Sequence, residues 1–341
     1  MSGALNLAEF EKALEVGQEF LMAAEAKNET ASLCIGHRMV AVSRNSLANF
    51  AEARIHAEEA LRWYDPEQHG PLAWRYVHDL GVAAMCHSGI ALWHLGFPDQ
   101  SATMERKAVA LATRLNHQNT IGYALFFGGA LSAFRRREFL TLREYAERLQ
   151  AYGREHGLPQ WLMWGIFLEA PGLTAIGRPA EAIDRINEGM IMSERMHNRA
   201  FRPAFLAALA EAQLAMGEAD KALQTVAESL SVAERTREQW MNAELWRLKG
   251  AILLSVDVRE IAEAEACFQN GIHSARQQGS IMLELRASTS LACLWRDRGK
   301  RAEARELLTP VYDWFTEGFD THDLKTAREL LKELEQLSGA T

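Results

Sequence analysis

Residues Gly177–Met190 read GRPAEAIDRINEGM, Gly217–Leu230 read GEADKALQTVAESL, and Gly299–Tyr312 read GKRAEARELLTPVY. Each phrase puts a glycine before an amphipathic run and follows an apolar stretch of helical period. The same phrasing recurs as NFAEARIHAEEAL from Asn49 and GFPDQSATMERKAV from Gly96. Aligning the turn residue gives Ala48, Gly96, Arg135, Gly177, Gly217, Asp257 and Gly299, separated by 48, 39, 42, 40, 40 and 42 residues. A near-constant period of about 40 is the mark of stacked helical hairpins. A chain of 341 residues would otherwise need about two separate cores. Stacked repeats escape that limit because each touches only its neighbours.

Two antiparallel helices that pack closely need small residues where they cross. Seven residues before each turn stand Ala41, Gly89, Gly128, Ala170, Ala210, Gly250 and Ala292. Five residues after it, Ala53, Ser101, Ala182, Ala222 and Ala304 are small as well. Leu140 breaks the rule, and the repeat at Asp257 reaches Ala264 only with two extra residues. First helices are expected near 29–47, 72–95, 118–134, 159–176, 199–216, 239–256 and 281–298. Second helices are expected near 51–63, 98–115, 137–155, 179–196, 219–236, 260–278 and 301–317. An opening helix covers about 5–26. A capping helix over 321–337 has Thr321 as N-cap and an apolar stripe of Leu324, Ala327, Leu331 and Leu334. The expected fold is thus all-α, a right-handed α-solenoid of about seven extended hairpins with an extra N-terminal helix and a C-terminal cap. It forms one superhelical domain over 1–341: 5–63 for the N-terminal helices and first repeat, 72–317 for six further repeats, and 321–337 for the cap.

Hydrophobic residues make up 48% and charged residues 24%, with 8 prolines, which excludes disordered and low-complexity classes. A net charge of −8 gives no basic field for nucleic acid or an anionic membrane. Cys34, Cys86, Cys267 and Cys293 lie far apart without a CxxC pair, as free thiols in a cytoplasmic protein would. Leu80 to Pro98 carries no Asp, Glu, Lys or Arg, but its His87 and His94 fit a helix buried all round better than a membrane span.

The hairpins resemble the tetratricopeptide repeat in a version longer than its usual 34 residues. ALRWYDPEQHGPLAW (60–74), ALWHLGFPDQS (91–101), EHGLPQWLMWGIFL (155–168), REQWMNAELWRLKGAILL (237–254), AEAEACFQNGIHSARQQG (262–279) and the run from Leu294 to Leu331 extend the likeness. They are similar to the C-terminal repeat region of bacterial ATPase / class III adenylate-guanylate cyclase fusion proteins. The resemblance implies a sensory or docking region of a signalling ATPase/cyclase system, with an attached or separate ATPase/cyclase domain as one partner. No catalysis carries over with it. The chain lacks a GxxxxGK[ST] loop, and Gly299-Lys300 has neither the earlier glycine nor the Ser/Thr. Where relatives have a basic residue and Gly-Trp, this chain has Glu169-Ala170-Pro171, and the proline is expected to kink or shorten its helix.

Candidate chemistry is sparse. His87 and His94 share a helix face without a metal-binding i,i+4 pair, Asp79 fits a cap, and Arg135-Arg136-Arg137 reads as a solvated connection. No catalytic residues, metal ligands or cofactor are expected. Glu169 among Trp161, Trp164 and Phe167 would have a raised pKa unless Arg178 or another cation reaches it. By the resemblance the first helices line a concave groove. Inward positions then give an apolar middle (Ala83, Cys86, Ile90, Trp93, Leu125, Trp164, Phe167, Leu214) and charged ends (Arg38, Asn45, Glu244, Arg247, Arg286, Arg296). Trp93, Trp164, Phe167, Glu169, Arg247 and Arg286 are the candidate groove contacts. The expected function is non-enzymatic binding of a protein or peptide in that groove, with sensing of a small molecule by an apolar aromatic pocket as the alternative.

Overall fold

The computed structural model describes residues 2–256 and 260–336. The turn expected at Asp257, and Leu337 at the end of the cap, lie outside the described residues. Among the described residues there is no strand. The chain opens with α1 (Ser2–Asn6), α2 (Phe10–Lys27), α3 (Thr30–Ser46) and α4 (Phe50–Trp63). Two short helices, α5 (Pro66–His69) and α6 (Ala73–Tyr76), precede α7 (Leu80–His94) and α8 (Pro98–Leu115). Next, α9 (Gln118–Ala124) runs through a π-helical segment, Leu125–Ala130, into α10 (Leu131–Arg136). The array continues with α11 (Phe139–Glu155), α12 (Pro159–Ala175), α13 (Pro179–Arg195), α14 (Arg202–Ala215) and α15 (Ala219–Thr236). It ends with α16 (Asn242–Val256), α17 (Ile261–Gln278), α18 (Ile281–Asp297), α19 (Arg301–Asp313) and α20 (His322–Gln336). This is an all-α solenoid of tetratricopeptide-like hairpins.

The turns carry the period in their backbone. Ala48, Gly96, Gly177, Gly217 and Gly299 all have φ between 61° and 86°, the left-handed conformation that ends a helix. In the third repeat that residue is Arg137, at φ 58°, not Arg135, which lies inside α10. Moving the turn by two residues puts a buried residue at that position, though still a leucine and not a small one. The position five residues on becomes Leu142, fully buried, while Leu140 is 73% exposed. Ala8 (φ 60°) extends the series by one more period. The opening helix expected over 5–26 is therefore two helices broken at Leu7–Glu9. Leu7-Ala8-Glu9-Phe10 repeats Leu47-Ala48-Asn49-Phe50, and both phenylalanines are buried in one core.

Four further expectations need correction. The first helix drawn over 72–95 begins only at Leu80, because Val77 takes φ 75° and Asp79 caps α7 by accepting from the Val82 N–H at 2.8 Å. Helix α12 is not shortened at Pro171 but runs on to Ala175. In the cap, Leu330 rather than Leu331 completes the buried stripe. The Thr321 hydroxyl donates backwards to the Gly318 carbonyl at 2.7 Å instead of accepting from the helix.

The crossing residues are buried as a group: Ala41, Ala170, Ala210 and Ala292 at 0% exposure, with Gly89, Gly128 and Gly250 also inside. At Gly250 a Cβ would lie 2.7 Å from the Phe268 ring and 3.0 Å from the Ala264 carbonyl oxygen. Only glycine allows α16 and α17 that approach.

The spiral winds tightly enough for distant repeats to touch. The Arg199 N–H donates to the Asn6 carbonyl at 2.6 Å, and that of Gln239 to the Ser46 carbonyl at 3.2 Å. His94 Nδ1 meets Ser280 Oγ at 2.8 Å across 186 residues. The Glu317 carboxylate accepts from the Asp99 and Gln100 N–H groups at 3.0 Å, so an acid from the end of the array caps the N-terminus of α8. Trp314 packs against Phe97 beside it, with ring centroids 5.5 Å apart. These contacts make the inner surface an interior rather than an open groove.

Candidate ligand-binding cavity on the inner surface

The inner surface holds a partly open cavity of about 250 Å3, lined mainly by the N-terminal repeats. Its aromatic wall comes from Tyr123, Phe126 and Phe127 on α9 and the π-helical segment, Trp161 and Trp164 on α12, Phe201, and Trp240. Phe126 and Phe205 both stack on Trp164, with centroids 5.2 and 5.5 Å away, which holds the indole in place. The π-helical register offsets side chains from their α-helical positions, and Phe126 and Phe127 are the two that line the cavity. Two wall residues hold left-handed backbone without being glycine: Val77 at φ 75° and Phe201 at φ 61°. Such conformations persist only where surrounding structure fixes them. For Phe201 the fixing group is Glu238, which accepts from its N–H at 2.9 Å and from Trp240 Nε1 at 3.0 Å. Burial pushes the Glu238 carboxyl up to about 7, against the lowering effect of those two bonds.

The polar side of the cavity is a short network on α3, α7 and α9. Arg38 Nη1 donates to His78 Nε2 at 2.9 Å, and His78 stacks on Tyr123 with centroids 4.2 Å apart. Asn45 Nδ2 donates to the His87 carbonyl at 2.9 Å and lies 3.2 Å from His87 Nδ1. Nδ1 therefore accepts, and Nε2 donates to the Tyr123 hydroxyl at 2.7 Å. Burial pushes His87 down to about 3, and the Arg38 and Arg135 charges add to that shift. His78 is lowered well below the usual histidine range, first by burial and then by Arg38. Both imidazoles are neutral near pH 7.

The second half of the interior is closed by ion pairs. Arg137 and Arg247 reach Glu244 Oε1 at 2.8 and 2.7 Å, and Arg286 bonds Asp323 through Nε and Nη2 at 3.0 and 2.6 Å. Arg286 also donates to the Arg135 carbonyl at 2.8 Å and covers the Trp93 ring at 5.4 Å. Burial would push the Glu244 carboxyl up, but Arg247, Arg137 and Arg286 outweigh it and hold it well below the usual range. Only about 40 Å3 remains open between these side chains.

The candidate contacts named from sequence are therefore scattered. Trp164 lines the cavity. Trp93 is 1% exposed inside the ion-paired half, and Arg247 and Arg286 belong to its charge cluster. Phe167 stacks on Phe205 at 3.5 Å in the core beside the cavity. Glu169 lies outside it, accepting from Gln150 Nε2 at 2.9 Å and paired at 3.4 Å with Arg185 rather than Arg178. The arginine run is no solvated connection: Arg135 and Arg136 bind the buried Glu105 carboxylate, and Arg137 points inward to Glu244. The apolar middle with charged ends is replaced by an aromatic chamber that keeps Arg38 and a charged half beyond it. Sequence counting put Arg38 and Asn45 on the inner face without singling them out. Tyr123, Phe201 and Trp240 carried no signal: the π-helical segment after α9 shifts the count at Tyr123, and Phe201 and Trp240 lie just before α14 and α16, outside the helical count.

Among the described residues no cluster of three His, Cys, Asp or Glu could hold a metal ion, and no helix is long and apolar enough to cross a membrane. No protein-family model matches the chain. An uncharacterized protein of Rhizobium meliloti (strain 1021) is 24% identical over 288 residues, which make up 82% of this chain and 27% of that protein. The chain thus spans about a quarter of the length of the curated relative it matches. Among solved structures, a Rap protein complexed with competence and sporulation factor superposes with a TM-score of 0.61 at 12% identity, covering 98% of this chain and 95% of that one. NprR in complex with its cognate peptide NprX superposes at 0.57 with 12% identity, covering 98% and 97%. At such identity the likeness is one of fold.

Proposed function

We propose that the chain is a non-enzymatic regulatory module whose inner surface receives a peptide or an extended segment of a protein. The observation that carries this reading is the aromatic-walled cavity of about 250 Å3, kept open in an interior that is otherwise filled. An apolar concavity with few polar groups is what side chains of a bound segment need. The two solved structures of the same fold, Rap with competence and sporulation factor and NprR with NprX, are themselves complexes, which supports the reading. The titratable groups beside the cavity, His78 and His87, are both engaged and neutral, which suits binding better than proton transfer. Contacts between distant repeats support treating 1–341 as one superhelical unit.

The docking or sensory region of a signalling ATPase/cyclase system is the context we propose. It rests on the sequence resemblance and on a relative nearly four times longer than the matched segment. A small molecule is the second reading, favoured by the size of the cavity, about 250 Å3, and its aromatic wall. Selection from a random heptapeptide library, followed by hydrogen exchange with a selected peptide, tests the main reading. Protection is expected in α3, α9 and α12. Protection confined to the outer helices α4, α8 and α11 would overturn it.

A further inference from the structure

No carboxylate lines the cavity, yet Arg38 does, and it is 6% exposed. Among the described residues its one hydrogen bond runs from Nη1 to His78, and its Nε is buried without a partner. Asp79 is the acid that acts on it through space, but its carboxylate is committed to the Val82 N–H and the Tyr64 hydroxyl. No carboxylate touches Arg38 directly, and its neighbours His78 and His87 are uncharged. Buried guanidiniums elsewhere in this protein, Arg135, Arg247 and Arg286, each hold a carboxylate. The edge of Arg38 left without a hydrogen bond is Nε with Nη2, a pair spaced to grip both oxygens of one carboxylate. The Tyr123 hydroxyl accepts from His87, so its own proton is free to join. On the same helix Asn45 Oδ1 is buried without a donor. Seven residues of helix separate it from Arg38 by about 10 Å, a span of about three residues of extended peptide.

We infer that the cavity is a carboxylate-recognising site for an apolar peptide, with Arg38 and Tyr123 receiving a carboxylate and Asn45 accepting a peptide N–H about three residues away. This rests on the peptide reading above and adds the chemistry of the ligand. The carboxylate comes from an Asp or Glu side chain or from the peptide's C-terminus. An apolar side chain of the same peptide fills the space between Phe126, Trp164 and Trp240. A buried, charge-assisted pair of this kind discriminates acid from amide about tenfold to hundredfold.

Two random heptapeptide libraries, one C-terminally amidated and one with free termini, are selected on the wild-type chain, on Arg38→Met and on Tyr123→Phe. Circular dichroism confirms that each variant is folded. The wild type should enrich Asp or Glu at a fixed position in the amidated library, or prefer the free-acid library, and this distinguishes the two sources. Arg38→Met should lose that preference while still enriching apolar peptides. Tyr123→Phe removes a single oxygen and should weaken the preference severalfold. Apolar peptides enriched equally with or without acid, in wild type and Arg38→Met alike, would overturn the carboxylate and leave the peptide reading standing. Failure of both libraries to enrich any peptide on the inner helices would sink both readings. Stabilisation by decanoate that depends on Arg38, without peptide enrichment, would assign the chamber to a small acid and overturn the peptide.

Discussion

In the first half of the spiral Arg38 and Asn45 face a cavity of about 250 Å3 with no acid in its wall. In the second half Arg137, Arg247 and Arg286 close around Glu244 and Asp323, and about 40 Å3 is left. Both halves are built from hairpins of the same kind, and Arg38 and Arg247 stand at the same position, three residues before the crossing residues Ala41 and Gly250. Which half is filled depends on what the neighbouring repeats and the next turn of the spiral bring opposite. Glu244 arrives opposite Arg137 from 107 residues away, and Asp323 opposite Arg286 from the cap. Arg38 receives a histidine in the same role. Buried guanidiniums that hold an acid lock a structure, whereas one held by a neutral group leaves a charge for something else to meet.

The contrast breaks first at Glu244. Removing this acid strips Arg137 and Arg247 of their carboxylate beside Arg286, and Glu244→Ala should cost about 3–5 kcal/mol in denaturant unfolding. A loss below about 1 kcal/mol would mean that the second half is not held by its ion cluster. Gly250→Leu tests the packing that both halves share. Its side chain would enter Phe268 and the α17 backbone, at about 1–3 kcal/mol or more. Wild-type stability in that variant would put the helix register in error.

The third test is pH, at the wall of the open half. The Glu238 carboxyl is raised to about 7 in the folded chain, while an unfolded glutamate titrates near 4.3. Between those values the folded state holds the extra proton, so Glu238 makes stability fall as pH rises from about 4.5 to 7. The depressed histidines His78, His87 and His94 pull the other way, losing stability as pH drops below about 6.5. The readout is therefore the difference between wild type and Glu238→Gln. It should shift by about 1–3 kcal/mol across that window, and parallel pH profiles would contradict the shifted carboxyl. The smallest effect on stability is expected at Arg38. Arg38→Met trades an uncompensated buried charge and one hydrogen bond for an apolar chain, so unfolding should change by about 1 kcal/mol or less, in either direction. A loss as large as that at Glu244 would show that Arg38 has an internal partner and would erase the distinction between the halves.

Much of the fold was legible because helix pairing is local. The glycine or alanine seven residues before each turn marks where two helices of one hairpin touch, and both helices lie within about forty residues. The one slip in register, Arg135 for Arg137, fell where no glycine marks the turn and a π-helical segment adds to the count. Of the candidate contacts, Trp164 was placed in the cavity wall, whereas Trp93, Arg247 and Arg286 belong to the half that the cap and distant repeats seal.

Composition and periodicity were enough to specify an all-helical array, its hairpins and the small residues that hold them together, since those interactions join neighbours in the chain. Where the array stays hollow was set by the rotation from one hairpin to the next. That rotation is small at each step and accumulates until residues 186 positions apart, such as His94 and Ser280, share a hydrogen bond. No local pattern encodes the sum, and the pairing of Arg286 and the isolation of Arg38 both follow from it.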